Sequence, residues 1–353
     1  LDAKDAKVKG SDAKDSGPAS TAARRCAAAE GWELTGPDGL QVEVLALGAT
    51  WVSCRMPLDE GSRELLLGFT GEADYLRQQS YIGATIGRYA NRIAGGRIRW
   101  HGRALQLERE PGAAHHLHGG PEGFNRRRWR LIEHHADTLR LALHSPAGDQ
   151  GYPGTLDCEV SYRMLAGLGV ELRFQAQVTE PCPVGLTNHA YFNLDGTGDA
   201  RSQQLCIAGD HYLPVDDDGI PCAALSCVAA SAFDFRAERP IAQHAGQVYD
   251  HAFLLDAQCA SLQRPAAHLR SADGRVQLAL STTLPALHLY TGQHLAQGTR
   301  SCASGWPDCS GIALEPQFLP DSPNHPQWPQ PGCWLLPGQR YDHRIVYRLR
   351  ALV

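Results

Sequence analysis

The sequence has no run approaching the ~18 consecutive apolar residues that a membrane-spanning helix needs. Its first residues lack the basic-then-apolar order of a secretory signal. Walker and GxGxxG patterns are missing, which removes the usual nucleotide cradles, and no HExxH helix is present to carry a catalytic zinc. There is no excess of positive charge: 33 Lys and Arg face 38 Asp and Glu, for a formal charge of -5. That balance argues against nucleic acid as a partner. The eleven cysteines include no CxxC pair, and their odd number leaves at least one unpaired. This scatter argues against a zinc ribbon or a disulfide framework and favours a reducing, cytoplasmic setting. Internal repeats are absent, and helical periodicity is scarce, Glu72 to Gln79 being the best candidate.

What the sequence does have is a period of two. Leu139, Leu141 and Leu143 alternate with polar or small residues, as do Leu156, Cys158, Val160, Tyr162 and Met164. After Ala166-Gly167-Leu168-Gly169 the pattern resumes at Val170, Leu172, Phe174, Ala176 and Val178, which predicts a long hairpin. A second hairpin is expected where Arg97 to Trp100 meets Ala104 to Leu107 across His101-Gly102. Further strands fit Val42 to Leu47, Val276 to Leu280, Leu287 to Tyr290 and Ile345 to Leu349. Strands spread this widely, with 36 glycines and 22 prolines for turns, predict a mostly β fold: one large antiparallel β-sandwich over residues 25–353. Residues 1–24 are Asp, Ala, Lys, Ser and Gly with almost nothing to bury, and read as a native or appended tail outside the fold.

Five segments depart from ordinary strand and turn sequence. Gly83-Ala84-Thr85-Ile86-Gly87-Arg88-Tyr89-Ala90-Asn91-Arg92-Ile93 reads as a glycine-permitted turn, or as a phosphate cradle using Arg88, Arg92, Arg97 and Arg99. In His115-His116-Leu117-His118-Gly119-Gly120, a strand would place His116 and His118 on one face. Two ligands are too few for zinc, so a polar-site histidine beside a glycine turn is the better reading. Thr187-Asn188-His189-Ala190-Tyr191-Phe192-Asn193-Leu194 sets a polar triplet beside two aromatics, which suits a sugar site as well as it suits a half-buried strand edge. Tyr249-Asp250-His251-Ala252-Phe253 is the fourth. In Gly311-Ile312-Ala313-Leu314-Glu315-Pro316-Gln317, Glu315 closes an apolar run, and a buried carboxylate there needs a partner or a task.

Taken in order, these segments resemble the aldose 1-epimerase (galactose mutarotase) family from about Leu40 to Leu349. The resemblance also takes in Leu66-Leu67-Gly68-Phe69, Tyr290-Thr291-Gly292 and Pro320-Asp321-Ser322-Pro323-Asn324. It implies the galactose mutarotase-like supersandwich with a sugar in an open cleft, and interconversion of the α and β anomers of free aldoses such as glucose and galactose. No cofactor or metal is implied. Matched residue by residue, His189 resembles the family's general acid and Glu315 its general base, while Asn91, Arg92, His118 and Asp250 fall on sugar-binding positions. His288 stands where the family often has Gln, two residues before Tyr290, and its hydroxyl preference stays open. The partner expected is a small free aldose, with no nucleic acid or membrane, for a monomer or weak homodimer.

The chemistry suits these residue types. A carboxylate takes the C1 hydroxyl proton, a protonated histidine gives a proton to the ring oxygen, and the C1–O5 bond opens to an aldehyde that recloses on either face. Two rival readings remain. One is an epimerase for hexose 6-phosphates, kept open by the arginines around Gly87 to Arg99. The other is a carbohydrate-binding or sensor protein of the same fold without catalysis, which would have no need of both His189 and Glu315.

Overall fold

The computed structural model describes residues 30–244 and 246–352; the tail expected at residues 1–24 lies outside them. Within this range the predicted alternation becomes antiparallel sheets. The long hairpin pairs Leu156–Leu165 with Gly169–Val178, from Leu156 opposite Val178 to Leu165 opposite Gly169. Its turn needs the left-handed backbone of Gly167 and Leu168, at φ +76° and +54°. The hairpin sits inside a nine-stranded sheet, which adds Arg130–His134 and Thr138–Ser145 on one side. On the other side come Tyr341–Ala351, Val276–Thr282, Ala267–Arg270, Gln204–Ile207 and Arg239–Pro240.

A six-stranded sheet runs in the order Tyr191–Phe192, Ile312–Gln317, Ala286–Tyr290, Asp250–Leu254, His211–Tyr212 and Ser226–Cys227. A four-stranded sheet of Gly31–Thr35, Gln41–Leu45, Thr50–Leu58 and Gly61–Glu64 packs at one end. One connected apolar core joins the three. Leu172, Phe174, Ile345 and Tyr347 come from the nine-stranded sheet, Leu287, Leu289, Ile312 and Leu314 from the six-stranded one, and Val42, Trp51 and Met56 from the third. This is the large antiparallel β-sandwich expected, in which alternate residues of each strand face the partner sheet. Each such leucine contributes about 1.5–3 kcal/mol by leaving water.

Several expected boundaries move. The helix ends at Arg77 rather than Gln79, because the Gln78 side chain turns back to accept hydrogen bonds from the Ser80 and Ile82 amides at 2.8 and 3.3 Å. The second hairpin uses Arg103–Gln106, one residue earlier than predicted, since His101 and Gly102 both take positive φ and close a two-residue turn. The strand predicted over Val42 to Leu47 ends at Leu45, where Ala46 pairs instead with Glu30 and Trp129. Leu143 is only half-buried. The ten described cysteines are free. No described helix is long and apolar enough to cross a membrane.

Candidate active site

The period of two that builds the core also builds the site. In Ile312–Gln317, Ile312 and Leu314 point into the core, so Ala313 and Glu315 point to the other face. In Ala286–Tyr290, Leu287 and Leu289 do the same and turn His288 and Tyr290 outward. Register then sets these residues side by side: His288 lies opposite Glu315, Tyr290 opposite Ala313, Asp250 opposite Tyr290, and Tyr191 opposite Ala313. Four adjacent strands thus present tyrosines, a histidine and two carboxylates on one face.

Loops close the other side. His189 is fixed by its backbone, whose amide donates to Ala84 and whose carbonyl accepts from Gly83, both at 2.9 Å. Asn91 and His118 both adopt left-handed backbones, φ +66° and +50°, and hold each other. The His118 amide donates to the Asn91 carbonyl at 3.1 Å, and the Asn91 amide donates to His118 Nδ1 at 3.2 Å. Gly119 follows at φ +92°, where a Cβ would lie 1.8 Å from the Gly87 carbonyl oxygen, so no side chain fits there. Between sheet and loops lies a cleft of about 240 Å³ lined by Tyr81, Asn91, Arg92, His118, His189, Asp250, His288 and Glu315. That is below the roughly 300 Å³ at which drug-sized pockets begin, and it restricts the occupant to a small molecule.

Two charge clusters meet in the cleft. Nε2 of His189 lies 3.4 Å from Oε1 of Glu315, with both residues buried. Glu315 Oε2 and His189 Nδ1 have no hydrogen-bond partner among the described residues. Burial, helped by the nearby Asp250 charge, pushes the Glu315 carboxyl well above the ordinary range, against the opposing pull of Arg92. Burial also lowers His189 to about 3. In the second cluster Asp250 accepts from His288 Nε2 at 2.6 Å and faces Arg92 Nη2 at 3.5 Å. Burial raises the Asp250 carboxyl, but the His288 bond and charge and the Arg92 charge outweigh that and hold it below the usual carboxylate range.

The structure brings all seven predicted residues to one cleft: Asn91, Arg92, His118, His189, Asp250, His288 and Glu315. It corrects two associated expectations. His116 and His118 do not share a face: the strand ends at Leu117, and the left-handed turn at His118 sends the two rings apart. His116 goes to the Tyr152 hydroxyl at 2.8 Å, buried in the scaffold. The four arginines do not converge either. Arg88 is buried and bound to Ser145, Pro146, Pro153 and Gly154, while Arg97 and Arg99 are exposed. Burial disfavours charge on both members of the first cluster, raising the Glu315 carboxyl and lowering the His189 imidazole. Sequence reasoning missed Tyr81, His294 and Gln297, which also line the cleft. None carries a local signal, apart from Tyr81 standing just before the glycine-flanked block.

The aldose 1-epimerase family model matches residues 30–348. The aldose 1-epimerase of Escherichia coli is 45% identical over 323 residues, covering 89% of this chain and 93% of its own. The chain belongs to the aldose 1-epimerase family. The family's reach extends to animals: galactose mutarotase of Homo sapiens is 35% identical over 329 residues, covering 88% of this chain and 91% of its own. Among solved structures, an aldose epimerase homologue from C. elegans superposes with a TM-score of 0.84 at 27% identity, covering 92% of this chain and all of that one.

Proposed function

We propose that this chain interconverts the α and β anomers of free aldoses, glucose and galactose among them, with Glu315 and His189 as its two proton carriers. The observation that carries the reading is the 3.4 Å approach of His189 Nε2 to Glu315 Oε1 inside a small polar cleft. The names of its relatives, aldose 1-epimerase and galactose mutarotase, support the same reaction.

The proposed cycle needs one proton shared by the pair. Burial, which raises the Glu315 carboxyl and lowers the His189 imidazole, favours that proton on Glu315 before the sugar binds. A bound sugar changes the balance, because its C1 hydroxyl can donate to Glu315 and its ring oxygen can accept from His189. Both placements carry the same proton count, so moving the proton across the pair needs no exchange with solvent. Glu315 as carboxylate then removes the C1 hydroxyl proton while His189 protonates the ring oxygen, and the C1–O5 bond breaks. Rotation about C1–C2 turns the aldehyde, and the two groups work in reverse to close the ring. Each transfer typically contributes about 10²–10⁴-fold. Asn91, Arg92, His118 and Asp250 hold the remaining hydroxyls and set the ring's orientation.

Arg88 is tied down, Arg97 and Arg99 do not line the cleft, and Arg92, which does, is paired with Asp250, so sugar 6-phosphates should be poor substrates. Polarimetry of freshly dissolved α-glucose and α-galactose tests the proposal. The protein should speed the approach to equilibrium rotation. If neither sugar responds to micromolar protein, the reading is wrong.

A further inference from the structure

Nδ1 of His189 meets no neighbouring described residue: the ring's hydrogen bonding is to its own backbone, and its Nε2 faces Glu315 at 3.4 Å. Histidines that move protons are ordinarily oriented by a carboxylate or carbonyl on the second nitrogen. Here three rings pack on it instead. Tyr81 lies 5.9 Å away and nearly parallel, at 23°; Tyr191 lies 4.9 Å away at 32°; His118 meets it edge-on at 5.3 Å and 69°. Tyr81 also packs on His118 at 4.6 Å, so one phenol ring touches both imidazoles.

The backbone at Tyr81 is unusual for a tyrosine. Its φ is +56°, a left-handed conformation that crowds the Cβ against the following carbonyl and is disfavoured in any residue but glycine. Neighbouring contacts enforce it: Gln78 Oε1 accepts from the amides of Ser80 and Ile82, and the Gln79 amide donates to Gly298. Strain of this kind persists where surrounding structure over-determines it, and it collects at functional sites.

We infer that Tyr81 is a positioning residue: its ring, with that of Tyr191, fixes the plane of the His189 imidazole by stacking, in place of a carboxylate or carbonyl from a neighbouring residue. The inference rests on the proposed role of His189. A ring free to flip would present Nε2 to the sugar only part of the time, and small misplacements of a reacting group cost on the order of 10²-fold. The groups facing His189 are Glu315, His288 and Asp250 from the sheet, His118 from the loop, and the phenols of Tyr81 and Tyr191. Because Tyr81 packs on the imidazole whose pKa burial lowers, removing its ring should admit water and lessen that lowering.

The test compares Tyr81→Phe with Tyr81→Leu. Phenylalanine keeps the stacking ring and should stay within about twofold of wild-type kcat. Leucine removes the ring and should lower kcat by about tenfold or more, with the acid limb of the kcat profile moved to higher pH. In the wild-type protein the His189 ring protons, assigned through His189→Asn, should resonate upfield from the ring currents of the tyrosines. That measurement serves even if the leucine variant fails to fold. Wild-type kcat in Tyr81→Leu, a phenylalanine variant as impaired as leucine, a kcat loss with an unmoved acid limb, or unshifted His189 resonances would each overturn the inference. An active His189→Asn would instead bring down the functional proposal itself.

Discussion

At the residue scale, the decisive side chains are those whose surroundings contradict their chemistry. Glu315 is a carboxylate at 1% exposure with one oxygen unpartnered, and His189 is an imidazole at 4% exposure with one nitrogen unpartnered. Neither placement serves stability, and together they place a proton donor and acceptor at one small cleft. Glu315→Gln keeps shape and hydrogen bonding but cannot take a proton, so it should bind sugar and lose at least ~10²-fold in turnover. His189→Asn should do the same, and the double variant should be little worse than either, because a pair that acts as a unit gives non-additive losses. Initial polarimetric rates decide this; a double variant whose loss is the product of the single losses would separate the two roles. The pair should also give a kcat that is flat through neutral pH. Its acid limb requires a second proton on buried His189, lowered to about 3, and its alkaline limb requires loss of the last proton from Glu315, which burial holds high. His288 was legible as a departure from the family pattern, but its bond to Asp250 was not. His288→Gln should shift the relative kcat/KM for glucose and galactose while leaving turnover within about tenfold, the worth of one altered polar contact. A collapse as deep as that of Glu315→Gln would put His288 among the proton carriers.

At the element scale, strands were readable and loops were not, for a physical reason. A strand with one buried face writes its orientation into the sequence every second residue, so Leu156 to Val178 could be read as a hairpin residue by residue. The same rule placed His288 and Tyr290 on one face before any register was known. Pairing across strands leaves no such trace: nothing in the sequence says that His288 faces Glu315 or that Asp250 faces Tyr290. Left-handed turns erased the pattern elsewhere, and His116 and His118 part company for that reason. The loop from Asp216 to Ile220 shows how much a turn can decide. The Asp216 carboxylate accepts from the Asp218 and Ile220 amides, and Gly219 at φ +75° lies against the Arg92 guanidinium. A Cβ at Gly219 would sit 2.6 Å from Arg92 Cζ. Gly219→Ala should therefore push Arg92 off Asp250 and lower kcat/KM by about tenfold, ~1.4 kcal/mol, for a weakened charged contact. Steady-state kinetics on a variant shown to be folded decides it, and an unchanged kcat/KM would mean that the loop does not set Arg92.

At the scale of the whole molecule, the sandwich carries its site as a cost. The core shared by the three sheets supplies the stability, and the outer face of the six-stranded sheet, with Glu315 buried in it, draws on that surplus. Proton linkage makes the cost measurable. In the folded protein the Glu315 carboxyl lies well above its ordinary value, because burial disfavours the charge. The unfolded chain loses this proton near the ordinary glutamate value of about 4.5, while the folded chain keeps it to higher pH. Between those two points the folded state binds more protons, so stability falls as pH rises, and the loss is complete only above the folded value. Glutamine at 315 has no proton to lose and escapes that penalty. Glu315→Gln should thus be more thermostable than wild type at pH 8, by about 2–4 °C for each kcal/mol relieved, and the advantage should shrink toward zero as the pH falls to about 4. Thermal melts of the two proteins across this range read the difference directly. A constant gap at all pH values would mean that the amide packs better than the acid for reasons unrelated to charge. A variant less stable than wild type at pH 8 would mean that the carboxylate is well solvated in the cleft, and the burial argument for its role in the reaction would go with it.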